Sequence, residues 1–159
     1  MGETMDGSAI FSACENYRYV LRRSWDATRR TVLFVGLNPS TADAKVNDPT
    51  IRRCIRFATD WDFGSLIMAN LFAYRATQPS LLPNVSDPVG PRNNWWLSML
   101  QKEADLVIAA WGIHGTLLDR NSEVLGKLSE VYCLGLTKAG HPKHPLYLSA
   151  SVTPRPYPG

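Results

Sequence analysis

Four near-continuous apolar runs recur along the chain, separated by segments of helical or loop character. The runs are TVLFVGL (31–37), SLIMANLF (65–72), DLVIAAWG (105–112) and VYCLGL (131–136). Such runs are typical of strands that are buried on both faces of a parallel sheet. An earlier segment, YRYVLRRSW (17–25), alternates and is rich in aromatic and β-branched residues, which predicts a further strand.

Helical patterns lie between the predicted strands. Asp48 can cap free backbone N–H groups and Pro49 suits the first helical position, so we expect a helix to begin there. Residues 95–104 and 116–130 also place apolar side chains at helical spacing. This alternation predicts an α/β protein with a mainly parallel sheet. The short turn after 17–25 predicts that this strand is an antiparallel partner at an edge.

The length of 159 residues suits a single domain, which we place at residues 15–150. Residues 1–14 are interpreted as a flexible N-terminal tail, and residues 151–159 as a proline-rich C-terminal tail. The connection 73–94 has no clear periodicity. A connection of that length is either functional or disordered.

The composition narrows the class of protein. A net charge of +3 permits a phosphate-bearing partner but does not require one. The three cysteines are far apart, which predicts free thiols in a reducing cytoplasm and no disulfide, zinc or iron–sulfur site. We expect no cofactor and no metal, because the pair His141-x-x-His144 has no third ligand nearby. We also expect no signal peptide, anchor or membrane partner.

Polar and aromatic residues lie at or just after the ends of the four predicted strands, which we place at 31–37, 65–69, 105–110 and 131–136. In a parallel sheet the carboxyl ends of the strands share one edge, where open α/β proteins bind their ligands. The residues at these positions are Asn38, Pro39, Ser40, Asn70, Phe72, Tyr74, Arg75, Trp111, Gly112, His114, Thr137, Lys138, His141 and His144. We therefore expect amides, imidazoles, aromatic faces and cations to converge on one rim of the sheet.

Each of these features also has a structural explanation. Residues 38–40 are common turn chemistry. An unpaired buried amide costs about 1–3 kcal/mol, so Asn70 is either satisfied by backbone groups or reserved for a ligand. His114 lies between glycines and fits a tight turn. The arginines that follow Pro49 are typical of a solvated helix face.

Motifs along the chain resemble those of a bacterial and phage family called domain of unknown function 1643. The matching motifs are GLNPSTAD, the helix start DPT-I-RR-C, NLFAYRAT, VGP-x-N, AWG-x-HG and HPLYL. The resemblance extends over nearly the whole chain, from YRYVLRRSW to HPLYL. The family implies no established activity.

The order of three motifs also resembles the uracil-DNA glycosylase superfamily. GLNP (36–39) resembles a G-x-N-P motif after the first core strand, and Asn70 resembles a base-reading asparagine at the end of a later strand. His144-Pro145-Leu146 resembles a His-Pro loop that contacts the base and wedges the helix. The resemblance implies a three-layer α/β/α fold with a short, mainly parallel sheet of about four strands plus the N-terminal edge strand. It also implies hydrolysis of an N-glycosidic bond in DNA or in a nucleotide.

Roles for individual residues follow from this resemblance and from side-chain chemistry. Asn38 would position the attacking water, and His144 would stabilise charge on the departing base. Asp43 or Asp48 would be the carboxylate that activates the water. Substrate-binding roles are implied for Gly36, Pro39, Ser40, Asn70, Phe72, Tyr74, Arg75, Trp111, His114 and Leu146. Contacts to nucleic-acid phosphates are implied for Arg52, Arg53, Arg56, Lys138 and Lys143.

The chain departs from the glycosylase pattern at two places. STADAKVN (40–47) replaces a short glycine-bearing segment, and His144-Pro145-Leu146-Tyr147 replaces His-Pro-Ser-Pro. Two other classes of function therefore stay open. One is a nucleic-acid- or nucleotide-binding module without catalysis, and the other is an interaction protein that uses residues 73–94 as its partner surface.

Overall fold

The structure is a computed structural model, and it describes residues 5–159. The strands are β1 (Asp6–Phe11), β2 (Arg18–Ser24), β3 (Thr31–Gly36), β4 (Ser65–Asn70), β5 (Leu106–Ala109), β6 (Tyr132–Cys133) and β7 (Arg155–Pro156). The α-helices are α1 (Pro49–Asp60), α2 (Asn93–Glu103) and α3 (Arg120–Leu125). Short 3-10 helices occupy Pro79–Asn84, Gly112–Asp119 and Pro145–Tyr147.

All seven strands form one mixed sheet in the order β1-β2-β4-β3-β5-β6-β7. The pairs β3–β4, β3–β5 and β5–β6 are parallel, and β1–β2, β2–β4 and β6–β7 are antiparallel. The predicted α/β class is therefore confirmed. The sheet has more strands than the four plus one that we predicted.

The extra strands lie in the two segments that we interpreted as tails. The polar sequence DGSAIF pairs with β2 along its whole length, so β1 forms the edge of the sheet and β2 lies inside it. At the other end, β7 pairs with β6 although it contains a proline. An edge strand has a hydrogen-bonded neighbour on one side only, so it tolerates proline and polar residues. Its sequence therefore lacks the apolar pattern by which an inner strand is predicted.

The helix predicted over 116–130 is shorter in the structure. Leu118 and Asp119 have φ values of 56° and 55°, which end the preceding 3-10 helix and delay the start of α3 to Arg120. The helix predicted to start at Asp48 is confirmed. The Asp48 carboxylate accepts a hydrogen bond of 2.9 Å from the Ile51 N–H, and Pro49 occupies the first turn.

Apolar side chains pack on both faces of the sheet. On β3, Leu33 and Val35 belong to a cluster that contains residues of α2 and α3, whereas Val32 and Phe34 belong to a cluster that contains residues of α1. This alternation is the two-residue period of a strand. It fixes β3 between two apolar layers, and the parallel pairing of β3 with β4 and β5 places the carboxyl ends of the three strands at one edge. None of the helices within residues 5–159 combines the length and the apolar character needed to cross a membrane.

Candidate functional site

A cavity of about 860 Å³ lies at the carboxyl ends of β3, β4 and β5. We call it the carboxyl-end cavity. Its volume lies within the range of about 300–1,000 Å³ that is typical of small-molecule sites. The residues predicted at this edge or in the site that line it are Gly36, Asn38, Pro39, Ser40, Asp48, Asn70, Trp111, Gly112, His114, Thr137, Lys143, His144 and Leu146. Nine of these thirteen were expected from the strand order, namely Asn38, Pro39, Ser40, Asn70, Trp111, Gly112, His114, Thr137 and His144.

Asn70 ends β4, and its side chain is only 2% exposed. Its Nδ2 has no hydrogen-bond partner among the residues that the structure describes, although the side chain lines the cavity. Gly36 is its register partner on β3. A Cβ at Gly36 would lie 2.9 Å from Asn70 Oδ1 and 3.0 Å from Met68 Cε. Glycine at this position therefore leaves the space that the amide occupies.

The backbone that follows Asn70 is held by two buried side chains. Asn93 Nδ2 donates to the carbonyl oxygens of Asn70 (2.9 Å) and Leu71 (3.1 Å). Arg120 Nε donates to the same Leu71 oxygen at 2.7 Å. Both side chains are at most 1% exposed. Asn93 is the last residue of the VGP-x-N motif (89–93), whereas no pattern in the sequence marks Arg120.

Asn38 lines the cavity with a fixed amide orientation. Its Nδ2 donates to the carbonyl oxygens of Pro39 (3.0 Å) and Ala76 (2.8 Å). With both amide protons directed to the backbone, Oδ1 is the atom that is left to accept a hydrogen bond from a ligand or a water.

His144 also lines the cavity, from the start of the 3-10 helix Pro145–Tyr147. Its Nδ1 accepts a hydrogen bond of 3.2 Å from the Leu146 N–H, so the proton of the neutral ring is on Nε2. Burial lowers the pKa of His144 below its ordinary value, and the charge of Asp48 acts in the opposite direction. His144 is therefore a neutral hydrogen-bond donor at neutral pH.

Trp111 and its neighbours form a further part of the wall. Trp111 is 1% exposed, and its Nε1 has no hydrogen-bond partner within residues 5–159. Gly112 has a φ of 75°, which only glycine adopts readily, and its N–H donates to the Pro142 carbonyl. Ile113 and Leu146 are exposed at the rim of the cavity. The AWG-x-HG and HPLYL motifs thus meet at this wall.

Three residues predicted to bind substrate do not line the cavity. Phe72 is fully buried in the apolar cluster between the sheet and α2. Tyr74 pairs with Tyr17 in an antiparallel bridge and contacts its ring edge-on. Arg75 lies over the Phe11 ring and donates to the Glu15 carbonyl. The chain turns into the core directly after Asn70, and this direction is not visible in an apolar run that continues to Phe72.

Asp43 also lies away from the cavity lining. Its Oδ1 accepts hydrogen bonds from the N–H groups of Lys45 (2.9 Å) and Val46 (2.7 Å), which close a local turn. These two bonds are the main reason that its pKa is lowered. Asp48 is the only carboxylate among the described residues that line the cavity, and it caps α1. The catalytic role predicted for Asp43 thus has no support in the position of the side chain.

The cations predicted to contact phosphates are placed differently from one another. Arg52 donates to the Asn47 carbonyl, Arg53 donates to the Leu148 carbonyl, and Arg56 pairs with Asp60. Lys138 is exposed outside the cavity lining, whereas Lys143 is exposed and lines it. Lys143 is thus the one member of this predicted group at the cavity.

Two buried arginines of β2 were missed in the sequence. Arg18 is 2% exposed and lines the cavity, and Arg23 is 3% exposed. Both donate to the backbone of the segment 40–48 that follows Pro39. In YRYVLRRSW they resemble solvent-facing positions of an edge strand. Only the segment packed over β2 makes them interior.

A protein family described as "Protein of unknown function (DUF1643)" matches residues 18–146. The matched range is more than half of the chain. The chain belongs to this family. The match begins at Arg18 and ends at Leu146, so it includes every residue that lines the carboxyl-end cavity except Tyr147. The comparisons with curated proteins and with solved structures find no match.

No group of three or more potential metal ligands (His, Cys, Asp or Glu) is found in the part of the chain from Met5 onward.

Proposed function

We propose that the carboxyl-end cavity binds a nucleobase and that the protein hydrolyses the N-glycosidic bond that joins this base to its sugar. The observation that carries the proposal is the Asn70 amide, which is buried in the cavity wall with Nδ2 unpaired by any residue that the structure describes. A buried amide without a partner costs about 1–3 kcal/mol. A base edge offers both an acceptor for Nδ2 and a donor for Oδ1, so binding would remove that cost.

The reaction would use two further residues of the cavity. The oxygen of a water attacks the anomeric carbon, the C–N bond breaks, and its electron pair passes to the base nitrogen. The proton lost by the water ends on the base or in solvent. Asn38 Oδ1 accepts a hydrogen bond from the water, because Nδ2 is held by Pro39 and Ala76. An amide is a weak base, so its contribution is positioning.

His144 would act on the leaving group. Its Nε2–H donates to the oxygen of the base on which negative charge develops, as a donor of an oxyanion hole does. The hydrogen bond from Leu146 N–H to Nδ1 holds the ring in the tautomer that carries this proton. Burial keeps the ring neutral by lowering its pKa. The same two features favour donation from a neutral imidazole over proton transfer from a cation.

Base release is the direct test. The protein is incubated with oligonucleotides that contain uracil, hypoxanthine or alkylated bases and with the corresponding free nucleosides and nucleotides, and released base is measured by chromatography. We expect release from at least one substrate. His144→Asn keeps an acceptor for the Leu146 N–H but lacks the Nε2 donor, and we expect it to be slower by about a hundredfold.

The variant Asn38→Ala, combined with His144→Asn, provides the lower bound of the assay. Wild-type protein that releases no more base than this double variant, on every substrate, would show that hydrolysis is not the function.

A second function, binding without turnover, is favoured by one specific observation. The carboxylate predicted to activate water, Asp43, lies in a local turn, and Asp48 caps α1. Under this alternative, bases or nucleotides bind saturably and no base is released. A salt titration then distinguishes the ligand class, because binding to nucleic acid weakens steeply as salt rises.

A further inference from the structure

Arg18 and Arg23 are two buried arginines of β2 whose hydrogen bonding differs. Arg23 donates to four oxygens, namely Asn47 Oδ1 and the carbonyls of Arg22, Asp43 and Val46. Arg18 donates to one, the Ala42 carbonyl at 3.1 Å. A guanidinium has five N–H donors. Arg23 is therefore largely satisfied by the segment 40–48, whereas Arg18 is not.

Among the described residues, the remaining surroundings of Arg18 supply no further hydrogen-bond partner for its guanidinium. Its Nε is buried without a hydrogen bond, and no carboxylate within residues 5–159 lies within 4.0 Å of the guanidinium. Asp48 is close enough to raise the pKa of Arg18, but burial is the larger effect and lowers it to about 10. Arg18 therefore stays charged at neutral pH. A buried charge without a hydrogen-bonded counter-ion is strongly unfavourable.

We infer that Arg18 pairs with the phosphate of a small, free nucleotide held in the carboxyl-end cavity. Arg18 lines the cavity and is 2% exposed, so an anion must enter the cavity to reach it. The volume of about 860 Å³ accommodates a base, a sugar and one phosphate together. Guanidinium groups bind phosphate oxygens through two parallel hydrogen bonds, which would use donors that Arg18 has free.

The placement of the other cations agrees with a free nucleotide more than with DNA. Arg53 and Arg56, on α1, are bound to the Leu148 carbonyl and to Asp60. Of the cations predicted to follow a nucleic-acid backbone, Lys143 is the one that lines the cavity, and it is exposed. A backbone phosphate of a duplex would stay outside, where it would meet Lys143 and not Arg18. The inference rests on the proposed function, because it takes the cavity as the base site.

Calorimetric titration of the full chain tests the inference without a substitution. The probes are a set of nucleosides, their 5′-monophosphates, inorganic phosphate, and oligonucleotides that contain the same bases. We expect the best monophosphate to bind at least about tenfold more tightly than its nucleoside and than the oligonucleotide, since a charge-assisted pair is worth that much. Equal affinity of nucleoside and monophosphate, or tighter binding of the oligonucleotide, overturns the inference.

Two matched variants assign the preference to the guanidinium. Arg18→Gln is expected to bind nucleoside and monophosphate equally, and Arg18→Lys to keep part of the preference. Arg23→Gln loosens the same segment 40–48 from a residue that does not line the cavity, and it should keep the tenfold preference. If Arg23→Gln loses the preference as fully as Arg18→Gln, the role of Arg18 is to hold the segment, and the inference is wrong.

The outcomes also separate this inference from the proposed function. If nucleosides bind and the phosphate adds no affinity, the proposed role of Arg18 is wrong and the proposed base site stands. Binding of inorganic phosphate that is lost in Arg18→Gln, with no binding of any nucleoside, removes the base site and supports an anion site at Arg18. Failure of every probe to bind removes both.

Discussion

The two ends of the sheet differ in whether the buried polar atoms of their cavities are hydrogen-bonded. A second cavity, of about 650 Å³, lies at the amino ends of β3, β5 and β6, and we call it the amino-end cavity. Two polar side chains that line it are bound to the backbone: Asp105 accepts from the Thr31 N–H at 2.8 Å, and Gln101 bonds to the backbone of residues 127 and 129. The lining of the carboxyl-end cavity includes Asn70, Arg18 and Trp111, each with a buried side-chain nitrogen that has no hydrogen-bond partner among residues 5–159.

This difference distinguishes a structural concavity from a candidate binding site. Both cavities are of similar size, and both are lined by charged and aromatic side chains. Among the described residues, however, none that lines the amino-end cavity has a buried side-chain nitrogen or oxygen without a partner. Each unpaired group costs about 1–3 kcal/mol in the folded chain. Because buried hydrogen-bond donors are left unpaired by the described residues at the carboxyl-end cavity and not at the amino-end cavity, the carboxyl-end cavity has donors available for a ligand.

Replacement of Asn70 by leucine should separate binding from stability at the carboxyl end. Leucine has a similar shape and no polar atom, so the desolvation cost of Nδ2 disappears. We expect the free energy of unfolding, measured by denaturant titration, to rise by about 1 kcal/mol. We expect affinity for the base to fall by about a hundredfold or more, because two hydrogen bonds are lost. If both the free energy of unfolding and the base affinity fall, the Asn70 amide has a structural role.

The matched change at the amino end should have the opposite signature. Asp105→Ala removes the acceptor of the Thr31 N–H. It is expected to lower the free energy of unfolding by about 1 kcal/mol and to leave base affinity unchanged. Reduced base affinity in Asp105→Ala would mean that the two ends of the sheet are coupled, so that the base site could not be assigned to the carboxyl-end cavity alone.

The contrast between the two ends was only partly predictable from the sequence. The strands β3, β4 and β5 were expected from their apolar runs, and Asn70 was expected at the edge because it follows the predicted strand 65–69. Arg18 was missed because its burial depends on the segment 40–48, which is distant in sequence. Phe72 was misplaced because hydropathy does not tell a strand from the buried chain that follows it.

A pair of glycines at opposite ends of the parallel strands gives a second comparison, with a smaller expected effect on base affinity. A Cβ at Gly64 would lie 1.9 Å from the Asp26 carbonyl oxygen, which is backbone. A Cβ at Gly36 would meet two side-chain atoms, Asn70 Oδ1 and Met68 Cε, at 2.9 and 3.0 Å. Gly64→Ala should therefore cost about 2 kcal/mol of unfolding free energy, and Gly36→Ala less than half of that.

Function should change in the reverse order for this pair. Gly36→Ala displaces the Asn70 amide, so we expect base affinity to fall by about tenfold, whereas Gly64→Ala should retain it at temperatures where the protein is folded. Denaturant titration and calorimetry on the same preparations give both quantities. Unchanged affinity in Gly36→Ala would show that the position of Asn70 Oδ1 does not matter for the ligand.

The smallest expected effect is a dependence of stability on pH that belongs to the carboxyl end. Burial lowers the pKa of His144, so the unfolded chain takes up a proton at a higher pH than the folded chain does. Its contribution to stability is complete above the unfolded pKa of about 6.5 and is lost as the pH falls toward the lower folded value. The residues that line the amino-end cavity include no histidine, the side chain that ordinarily titrates between pH 5 and 8.

The variant His144→Asn isolates this contribution, because asparagine retains an acceptor for the Leu146 N–H and does not titrate. The unfolding free energy of the wild type minus that of the variant is expected to decrease as the pH is lowered from 8 to 5. Other titrating groups are common to both proteins and cancel in the difference. A difference that is constant with pH would mean that His144 is not desolvated, and one that increases at low pH would mean that it is a cation in the folded protein. The second outcome would remove the neutral Nε2 donor from the proposed mechanism, and the first would remove only the part that burial plays in keeping the ring neutral; the binding roles of Asn70 and Arg18 would stand in both cases.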